Sequence, residues 1–129
     1  MKAIVVDDSG TMRRILKRML VELGFEVAEA EDGVAALEWF RKNGSLDLAL
    51  LDWNMPEMSG YDLLRFVRAR REFDGMRIMM VTTESEMEKV AKALSAGADE
   101  YVMKPFTKEV ITDKLSLLGF HSLAEGAAP

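Results

Sequence analysis

The sequence of 129 residues contains no cysteine and only one histidine, His121. Without cysteine the chain can form neither disulfide bonds nor thiolate metal sites, and a single histidine argues against a zinc or copper site built on imidazoles. No apolar run approaches the ~20 residues that cross a bilayer, so we expect no insertion into a membrane. The opening segment MKAIVVDD has two acids directly after a short apolar run, which argues against a signal peptide. We therefore expect a cytoplasmic protein.

Basic residues are also in the minority. The chain has 17 Lys and Arg against 22 Asp and Glu, which gives a net charge of −5. Nucleic-acid-binding proteins usually present a basic face, so this balance argues against a nucleic-acid partner. The length fits one domain, for which we expect the range 1–118, followed by a short C-terminal tail over residues 119–129.

Five short apolar runs alternate with five segments of helical periodicity. The runs predict buried strands at residues 3–6, 25–30, 48–51, 77–81 and 101–103. The second run is more polar than the others, which indicates a less central strand. The fourth helical segment extends from about Glu84 to Ala96. This alternation predicts an α/β fold, in which helices cover both faces of a parallel sheet.

Polar residues follow four of the five predicted strands. In chain order they are Asp7 and Asp8, Asp52, Thr82 and Thr83, and Lys104. The C-terminal ends of parallel strands lie on one edge of a sheet, and ligands bind there in this class of fold. We therefore expect these residues to converge in space although they are far apart in the sequence.

Three converging carboxylates require compensating cations. At ~4 Å and a surface-like dielectric, each pair of carboxylates repels by about 4 kcal/mol before screening. Lys104 supplies one positive charge, and ligands that are all oxygens favour the hard ion Mg²⁺ for the remainder. Neutralising Asp7 or Asp8 should then raise the stability of the metal-free protein. A carboxylate beside Mg²⁺ and an ammonium can accept a phosphoryl group, and Asp52, alone at the end of a fully apolar run, is our candidate nucleophile.

Each of these features also has an ordinary structural explanation. Adjacent aspartates after a strand often form a turn and cap a helix. An aspartate at a strand end is usually solvated, a threonine is common in strands, and a lysine is usually a surface charge. The combination is more specific than its parts, because all four features fall at equivalent strand ends.

The same residues belong to longer motifs. These are Val5-Val6-Asp7-Asp8, Asp52-Trp53-Asn54-Met55-Pro56, Gly60, Thr82-Thr83 and Lys104-Pro105-Phe106. Together they resemble the response-regulator receiver domain over about residues 2–118, and the segments 53–56 and 101–106 resemble the chemotaxis type of that family. The resemblance implies a flavodoxin-like, doubly wound fold with five parallel strands in the order 2-1-3-4-5 and five helices.

The resemblance also implies a role for each site residue. Asp52 would be the phosphorylation site. Asp8 and Asp52 would bind Mg²⁺ with side-chain oxygens, Asn54 with its backbone carbonyl, and Asp7 through a metal-bound water. Lys104 would bind the phosphoryl oxygens, and its peptide bond to the following proline is expected to be cis.

Further residues would respond to phosphorylation or tune it. Thr82 would move to hydrogen-bond the phosphoryl group, and Tyr101 would turn inward behind it. Positions 54 and 84 tune self-dephosphorylation in this family, and the pair found here, Asn54 and Glu84, is that of the chemotaxis type. Thr83 departs from the family pattern, which has a smaller residue at this position, so its methyl group could narrow access to the site.

A possible partner surface lies on the fourth predicted helix. Met87, Val90 and Leu94 recur there at helical spacing, near Tyr101 of the fifth strand. Periodicity alone favours a place in the core for this stripe. The resemblance instead implies that part of it faces a target protein and that Tyr101 reports the phosphorylation state.

The resemblance implies a signalling switch and not an enzyme in the usual sense. The phosphoryl donor would be a phosphohistidine of a sensor histidine kinase, and the phosphorylated domain would lose the group by self-dephosphorylation. The chain ends about ten residues after the last predicted helix, so we expect no attached output domain. We expect a separate target, such as a component of the flagellar motor switch. A phosphorelay intermediate, or another single-domain regulator, is the alternative within the same fold.

Two other classes share features of this pattern. A haloacid-dehalogenase-like phosphatase also uses an aspartate at a strand end and Mg²⁺, but it needs its nucleophile and general acid two residues apart, whereas Asp7 and Asp8 are adjacent. A flavodoxin-like electron carrier would need a first loop rich in Ser, Thr and Gly to hold a phosphate, and that loop is absent here.

Overall fold

Strands and helices alternate along the computed structural model, which describes residues 1–120. The strands are β1 (Lys2–Val6), β2 (Glu26–Ala30), β3 (Leu48–Leu51), β4 (Arg77–Thr82) and β5 (Glu100–Met103). The helices are α1 (Gly10–Glu22), α2 (Gly33–Asn43), α3 (Gly60–Arg68), α4 (Met87–Ser95) and α5 (Lys108–Leu117), with one 3₁₀ turn at Arg71–Phe73. The predicted strands and helices are confirmed. His121 and the rest of the predicted tail lie outside the described residues, so the boundary at residue 118 stays a prediction.

The five strands form one parallel sheet in the order β2-β1-β3-β4-β5, which confirms the predicted topology. Ile4, Ala49 and Ile78 lie side by side in register across the three central strands. The more polar β2 is an edge strand, as its composition predicts. Strand order reverses at β1, which lies between β2 and β3. This reversal opens a crevice at the C-terminal ends of β1 and β3, where ligands bind in folds of this type.

Alternating side chains of the strands fill two separate hydrophobic cores. Val6, Leu51 and Met80 point to the face covered by α2, α3 and α4, where Leu63 and Leu64 of α3 pack against them. The second core, on the opposite face, lies under α1 and α5. Its members include Val5, Leu50, Val81, Leu16, Leu20, Ile111 and Leu115. Because both faces are covered, the central strands are apolar throughout, and the polar residues appear only where each strand ends.

Side chains cap four of the five helices at their N-termini. Ser9, Asp32, Ser59 and Thr107 each accept a hydrogen bond from a backbone N–H in the first turn. In α1 this cap is Ser9, whose hydroxyl accepts from the N–H of Met12 at 3.2 Å. The Ser9 cap lets α1 begin at Gly10, shortly after β1 ends at Val6 and beside the crevice.

Helix α4 differs from the prediction in its start and in its exposed face. It begins at Met87 and not near Glu84, and Glu86 at its N-cap makes no side-chain capping bond. The core position predicted from periodicity for the stripe of Met87, Val90 and Leu94 is wrong. Met87 is 82% exposed and Leu94 46%, while Ala93 is the residue of α4 that reaches the core. Helix α4 packs against the core through the small side chain of Ala93, so Met87 and Leu94 remain at the surface.

None of the helices within residues 1–120 has the length and hydrophobicity that a membrane crossing requires.

Candidate functional site

The acids predicted to converge do so at the C-terminal edge of the sheet. Asp7, Asp8 and Asp52 each place one carboxylate oxygen within 4.8 Å of the others. Lys104 reaches into the same cluster, with its Nζ 2.6 Å from Oδ2 of Asp7 and 3.2 Å from Oδ2 of Asp52. The predicted convergence is therefore confirmed for Asp7, Asp8, Asp52 and Lys104. The three carboxylates and one ammonium leave a local net charge of minus two.

The two carboxylates that contact Lys104, those of Asp7 and Asp52, differ in the hydrogen bonds that their oxygens accept. Asp7 is 1% exposed, and both of its oxygens are engaged, because Oδ1 also accepts the N–H of Ser9 at 2.9 Å. Asp52 is 7% exposed, and its Oδ1 has only a long 3.4 Å contact with the N–H of Asn54. Asp52 therefore keeps more of its lone-pair capacity free. This difference favours Asp52 over Asp7 as the nucleophile.

Lys104 is held in place as a charged group. Burial by itself lowers the pKa of Lys104, but the hydrogen bond to Asp7 and the attraction of Asp52 outweigh it, so the pKa is raised above its usual range. The lysine backbone is also fixed, since its N–H donates to the carbonyl of Thr82 at 2.9 Å. The peptide bond to Pro105 is cis, as the resemblance implied. Lys104 therefore presents a permanent ammonium between the two buried acids.

Asp8 is the exposed acid of the cluster and is available to a metal. It is exposed, and it makes no hydrogen bond or ion pair with the rest of residues 1–120. Mg²⁺ binds oxygen ligands in an octahedron at about 2.0–2.1 Å, so three oxygens this close can converge on one ion with small side-chain movements. The donor set is entirely oxygen, the open side leaves space for waters, and a divalent cation would balance the local charge. The residues therefore fit Mg²⁺.

The loop after β4 connects the site to β5. Thr82 is fully buried, and its Oγ1 accepts the N–H of Glu84 at 3.3 Å. The carbonyl of Glu84 in turn accepts the Tyr101 hydroxyl at 2.7 Å. Burial, followed by the negative charges of Glu84 and Asp52, raises the pKa of Tyr101, so the phenol stays a hydrogen-bond donor. The predicted switch residues Thr82 and Tyr101 are therefore joined through one residue, and their movement on phosphorylation stays a prediction.

Close packing by α3 fixes the backbone after Asp52. The N–H of Gly60 donates to the carbonyl of Trp53 at 2.8 Å. A Cβ at position 60 would lie 1.8 Å from the carbonyl oxygen of Asp52, so only glycine allows this approach. The Trp53 ring, 9% exposed, stacks on Tyr61 with centroids 5.0 Å apart and an interplanar angle of 9°. Asp52 is thus followed by a closely packed segment.

The structure leaves the remaining predicted residues at the surface. Asn54 and Thr83 are exposed at the rim of the site. The predicted partner residues Met87 and Leu94 are exposed, and Val90 is half-buried. Their roles in turnover and in partner binding stay predictions.

Two residues near the site were not anticipated from the sequence. Arg13 donates from Nη1 to the carbonyl of Asp7 at 2.7 Å, and its charge is shared with Glu29 at 3.5 Å. Lys89 of α4 forms an ion pair with Glu84 at 2.9 Å. Arg13 lies six positions after Asp7, on the first turn of the helix that follows, and that spacing is a signal that could have suggested it. No comparable signal exists for Lys89, because its reach depends on where α4 begins.

Comparison with known proteins agrees with this geometry. Residues 3–116 match the family model described as the response regulator receiver domain. The chain belongs to the response-regulator receiver family. This membership confirms the predicted resemblance, and it sets aside the phosphatase and flavodoxin alternatives, since the matching model is of neither kind.

Relatives of this receiver domain include chemotaxis proteins along nearly their whole length. It is 49% identical to the chemotaxis protein CheY homolog of Campylobacter jejuni, with 99% of each chain covered. It is 49% identical to chemotaxis protein CheY1 of Helicobacter pylori, with 92% of this chain and 96% of that protein covered. A solved structure of the chemotaxis response regulator CheY4 of Vibrio cholerae superposes with a TM-score of 0.83 at 32% identity, covering 91% of this chain and 97% of that one.

Proposed function

We propose that this receiver domain accepts a phosphoryl group on Asp52 from a histidine kinase, in a reaction that depends on Mg²⁺, and then binds a separate target. The position of Lys104 Nζ between Asp7 and Asp52 is the observation that carries the proposal. In this position the Lys104 ammonium would contact the oxygens of a phosphoryl group arriving at Asp52. The contrast between the fully engaged Asp7 and the less engaged Asp52 supports Asp52 as the acceptor.

In the proposed transfer, a carboxylate oxygen of Asp52 forms a bond to phosphorus while the bond from phosphorus to the donor breaks. The electron pair of the broken bond leaves with the donor. Lys104 neutralises charge on the phosphoryl oxygens, and the hydroxyl of Thr82, which now accepts from Glu84, would turn to donate to one of them. Asp7 keeps Lys104 charged and in place throughout, through the 2.6 Å bond between them.

Asp8 and Asp52 would hold Mg²⁺ through side-chain oxygens, Asn54 through its backbone carbonyl, and Asp7 through a water. Mg²⁺ bound there would supply charge neutralisation of the transferring group, which the single ammonium of Lys104 cannot provide alone. Asp8 is suited to this role because it is exposed and has no partner within residues 1–120. The fold supplies the rest of the cluster from the ends of two adjacent strands.

The names of the relatives support a role in chemotaxis. We place the protein in the cytoplasm, with a sensor histidine kinase as donor and a target such as a component of the flagellar motor switch. The exposed Met87 and Leu94, with Val90 and Tyr101, are the proposed target surface. A phosphorelay intermediate would share the acceptor site and differ in its partner, so partners pulled down from the native cell distinguish the two.

Incubation with acetyl phosphate tests the acceptor chemistry without a kinase. With Mg²⁺ present, intact mass should show addition of one phosphoryl group to the wild type and none to Asp52→Asn. Omission of Mg²⁺ should abolish the addition. A wild type that stays unmodified, or an Asp52→Asn variant that is modified equally, would contradict the proposal.

A further inference from the structure

A polar bridge joins the loop after β3 to the first turn of α4, next to the acceptor. Lys89 Nζ lies 2.9 Å from Oε2 of Glu84, and the two side chains are 33% and 22% exposed. The hydrogen bond from Lys89, followed by one from the side chain of Asn54, lowers the pKa of Glu84, so this carboxylate is held ionised between two donors. Lys89 and Glu84 therefore form an ion pair, and the side chain of Asn54 lies beside it.

Two members of this bridge, Asn54 and Glu84, contact residues of the acceptor site through their backbone N–H groups. The N–H of Asn54 contacts Oδ1 of Asp52 at 3.4 Å, and the N–H of Glu84 donates to Oγ1 of Thr82 at 3.3 Å. Asp52 and Thr82 follow neighbouring strands of the sheet. The bridge consequently links the loops that follow β3 and β4, next to Asp52 and Thr82.

Lys89 is the residue that ties this bridge to a helix. Helix α4 has no side-chain cap, and its first turn is held instead by N–H bonds from Lys89 and Val90 to the carbonyl of Glu86. The Lys89 ammonium also lies 5.6 Å from the centroid of the Trp53 ring, next to the acceptor. The rest of the bridge belongs to exposed or half-exposed loops, so the Lys89 contact supplies its fixed point.

We propose that Lys89 is a positioning residue: it holds Glu84 and Asn54 beside Asp52 and thereby slows hydrolysis of the phosphoryl group on Asp52. This inference rests on the proposed function. In hydrolysis a water oxygen forms a bond to phosphorus as the bond from phosphorus to the Asp52 oxygen breaks, and the electron pair of that bond stays on the carboxylate. Of the two water protons, one stays on the departing hydrogen phosphate and the other passes to solvent or to a second phosphate oxygen. An ordered bridge restricts the line along which that water approaches, opposite Asp52.

Three variants test this role. Lys89→Met removes the ammonium and keeps the length, Lys89→Arg keeps the charge, and Lys92→Met is the matched control one turn along the same helix. Each is phosphorylated with acetyl phosphate and Mg²⁺, freed of donor by desalting, and followed by intact mass. Lys89→Met should lose the phosphoryl group roughly two- to fivefold faster, the factor expected from loosening one partly exposed ion pair. Lys89→Arg should restore the wild-type rate, and Lys92→Met should not change it.

A second measurement monitors the side chain of Asn54 by NMR in the unphosphorylated protein. The chain has two asparagines, Asn43 and Asn54, and no glutamine, so two side-chain amide groups appear in a ¹H–¹⁵N spectrum. In Lys89→Met the Asn54 amide should move towards the position of a free side chain, while that of Asn43, which donates to the carbonyl of Trp39 at 2.9 Å, should stay in place. Mg²⁺ affinity should be unchanged, which separates positioning from damage to the site.

The outcomes separate the two proposals. A wild type that takes no phosphoryl group overturns the proposed function and this inference with it. A wild type that is phosphorylated, with Lys89→Met losing the group at the wild-type rate, overturns this inference alone. It is equally overturned if Lys92→Met accelerates the loss as much as Lys89→Met does, or if the Asn54 amide does not move.

Discussion

Neutralising Asp8 should stabilise the metal-free protein and destabilise the Mg²⁺ complex relative to the wild type. Asp8 is exposed and lies within 4.8 Å of carboxylate oxygens on Asp7 and Asp52. At that distance in a water-like dielectric, each pair of like charges repels by about 0.9 kcal/mol, and Lys104 offsets roughly one of the two pairs. A negative charge before the α1 N-terminus is favourable by about 0.3 kcal/mol, which reduces the gain. We therefore expect Asp8→Asn to raise the free energy of unfolding by about 0.5–1 kcal/mol.

The assay is urea or thermal unfolding at low salt, first in chelator and then with Mg²⁺. In chelator the expected gain corresponds to roughly 2–4 °C in melting temperature for a domain of this size. With Mg²⁺ at about 100 times its dissociation constant, the wild type gains about 2.7 kcal/mol through binding linkage, whereas Asp8→Asn gains less. The order of stability should therefore reverse between the two conditions. Asp74→Asn, at an exposed aspartate without an ion pair in residues 1–120, is the matched control and should change little.

Asp7→Asn distinguishes a cluster of equal charges from the arrangement seen in the structure. The sequence alone predicts that neutralising either Asp7 or Asp8 relieves repulsion. In the structure, however, Asp7 is buried and bonds both Lys104 and the N–H of Ser9. Losing one partner of a buried hydrogen-bonded pair costs about 1–3 kcal/mol, so we expect Asp7→Asn to be destabilising. An Asp8→Asn protein that is less stable than the wild type in chelator, or an Asp7→Asn protein that is more stable, would refute the reasoning.

Three further predictions concern the scaffold and the reporter of the site. Gly60→Ala would place a Cβ 1.8 Å from the backbone oxygen of Asp52 and should lower the free energy of unfolding by about 1–3 kcal/mol. The control Gly75→Ala has open space around the new Cβ and should leave stability unchanged. Equal melting temperatures for the two variants would contradict this prediction. Arg68 donates to three backbone carbonyls and a carboxylate, so Arg68→Met should cost about 2–4 kcal/mol in urea unfolding, and an unchanged midpoint would count against it. In a Trp39→Phe background the fluorescence of Trp53 should change on addition of Mg²⁺ or beryllofluoride, and a silent signal would be hard to reconcile with the site.

The strands and the site edge could be predicted because their signals are local. A buried parallel strand is apolar at every position, so the first polar residue after each run marks its end. Asp52 and Lys104 are such residues, and the parallel arrangement alone then brings them together. Ser9 likewise marks the start of α1 through a cap that forms between near neighbours in the sequence.

What could not be predicted depends on contacts between distant segments. Asp7 and Asp8 are identical in chemistry and adjacent, yet alternation at the strand end buries one against Lys104 and exposes the other. The periodicity of α4 shows a stripe of large apolar residues, but it does not show that Ala93 is the residue facing the sheet. The Lys89 contact with Glu84 follows from the start of α4 at Met87, where the N-cap residue Glu86 makes no side-chain capping bond.

Reductive trapping of the acyl phosphate tests the central claim most directly. After reaction with acetyl phosphate and Mg²⁺, borohydride converts a phosphorylated aspartate to homoserine, which peptide mass spectrometry then assigns to a position. Homoserine at position 52 alone is the expected result. Homoserine at position 7 or 8, or a protein that carries a phosphoryl group with no homoserine at 52, would contradict the account.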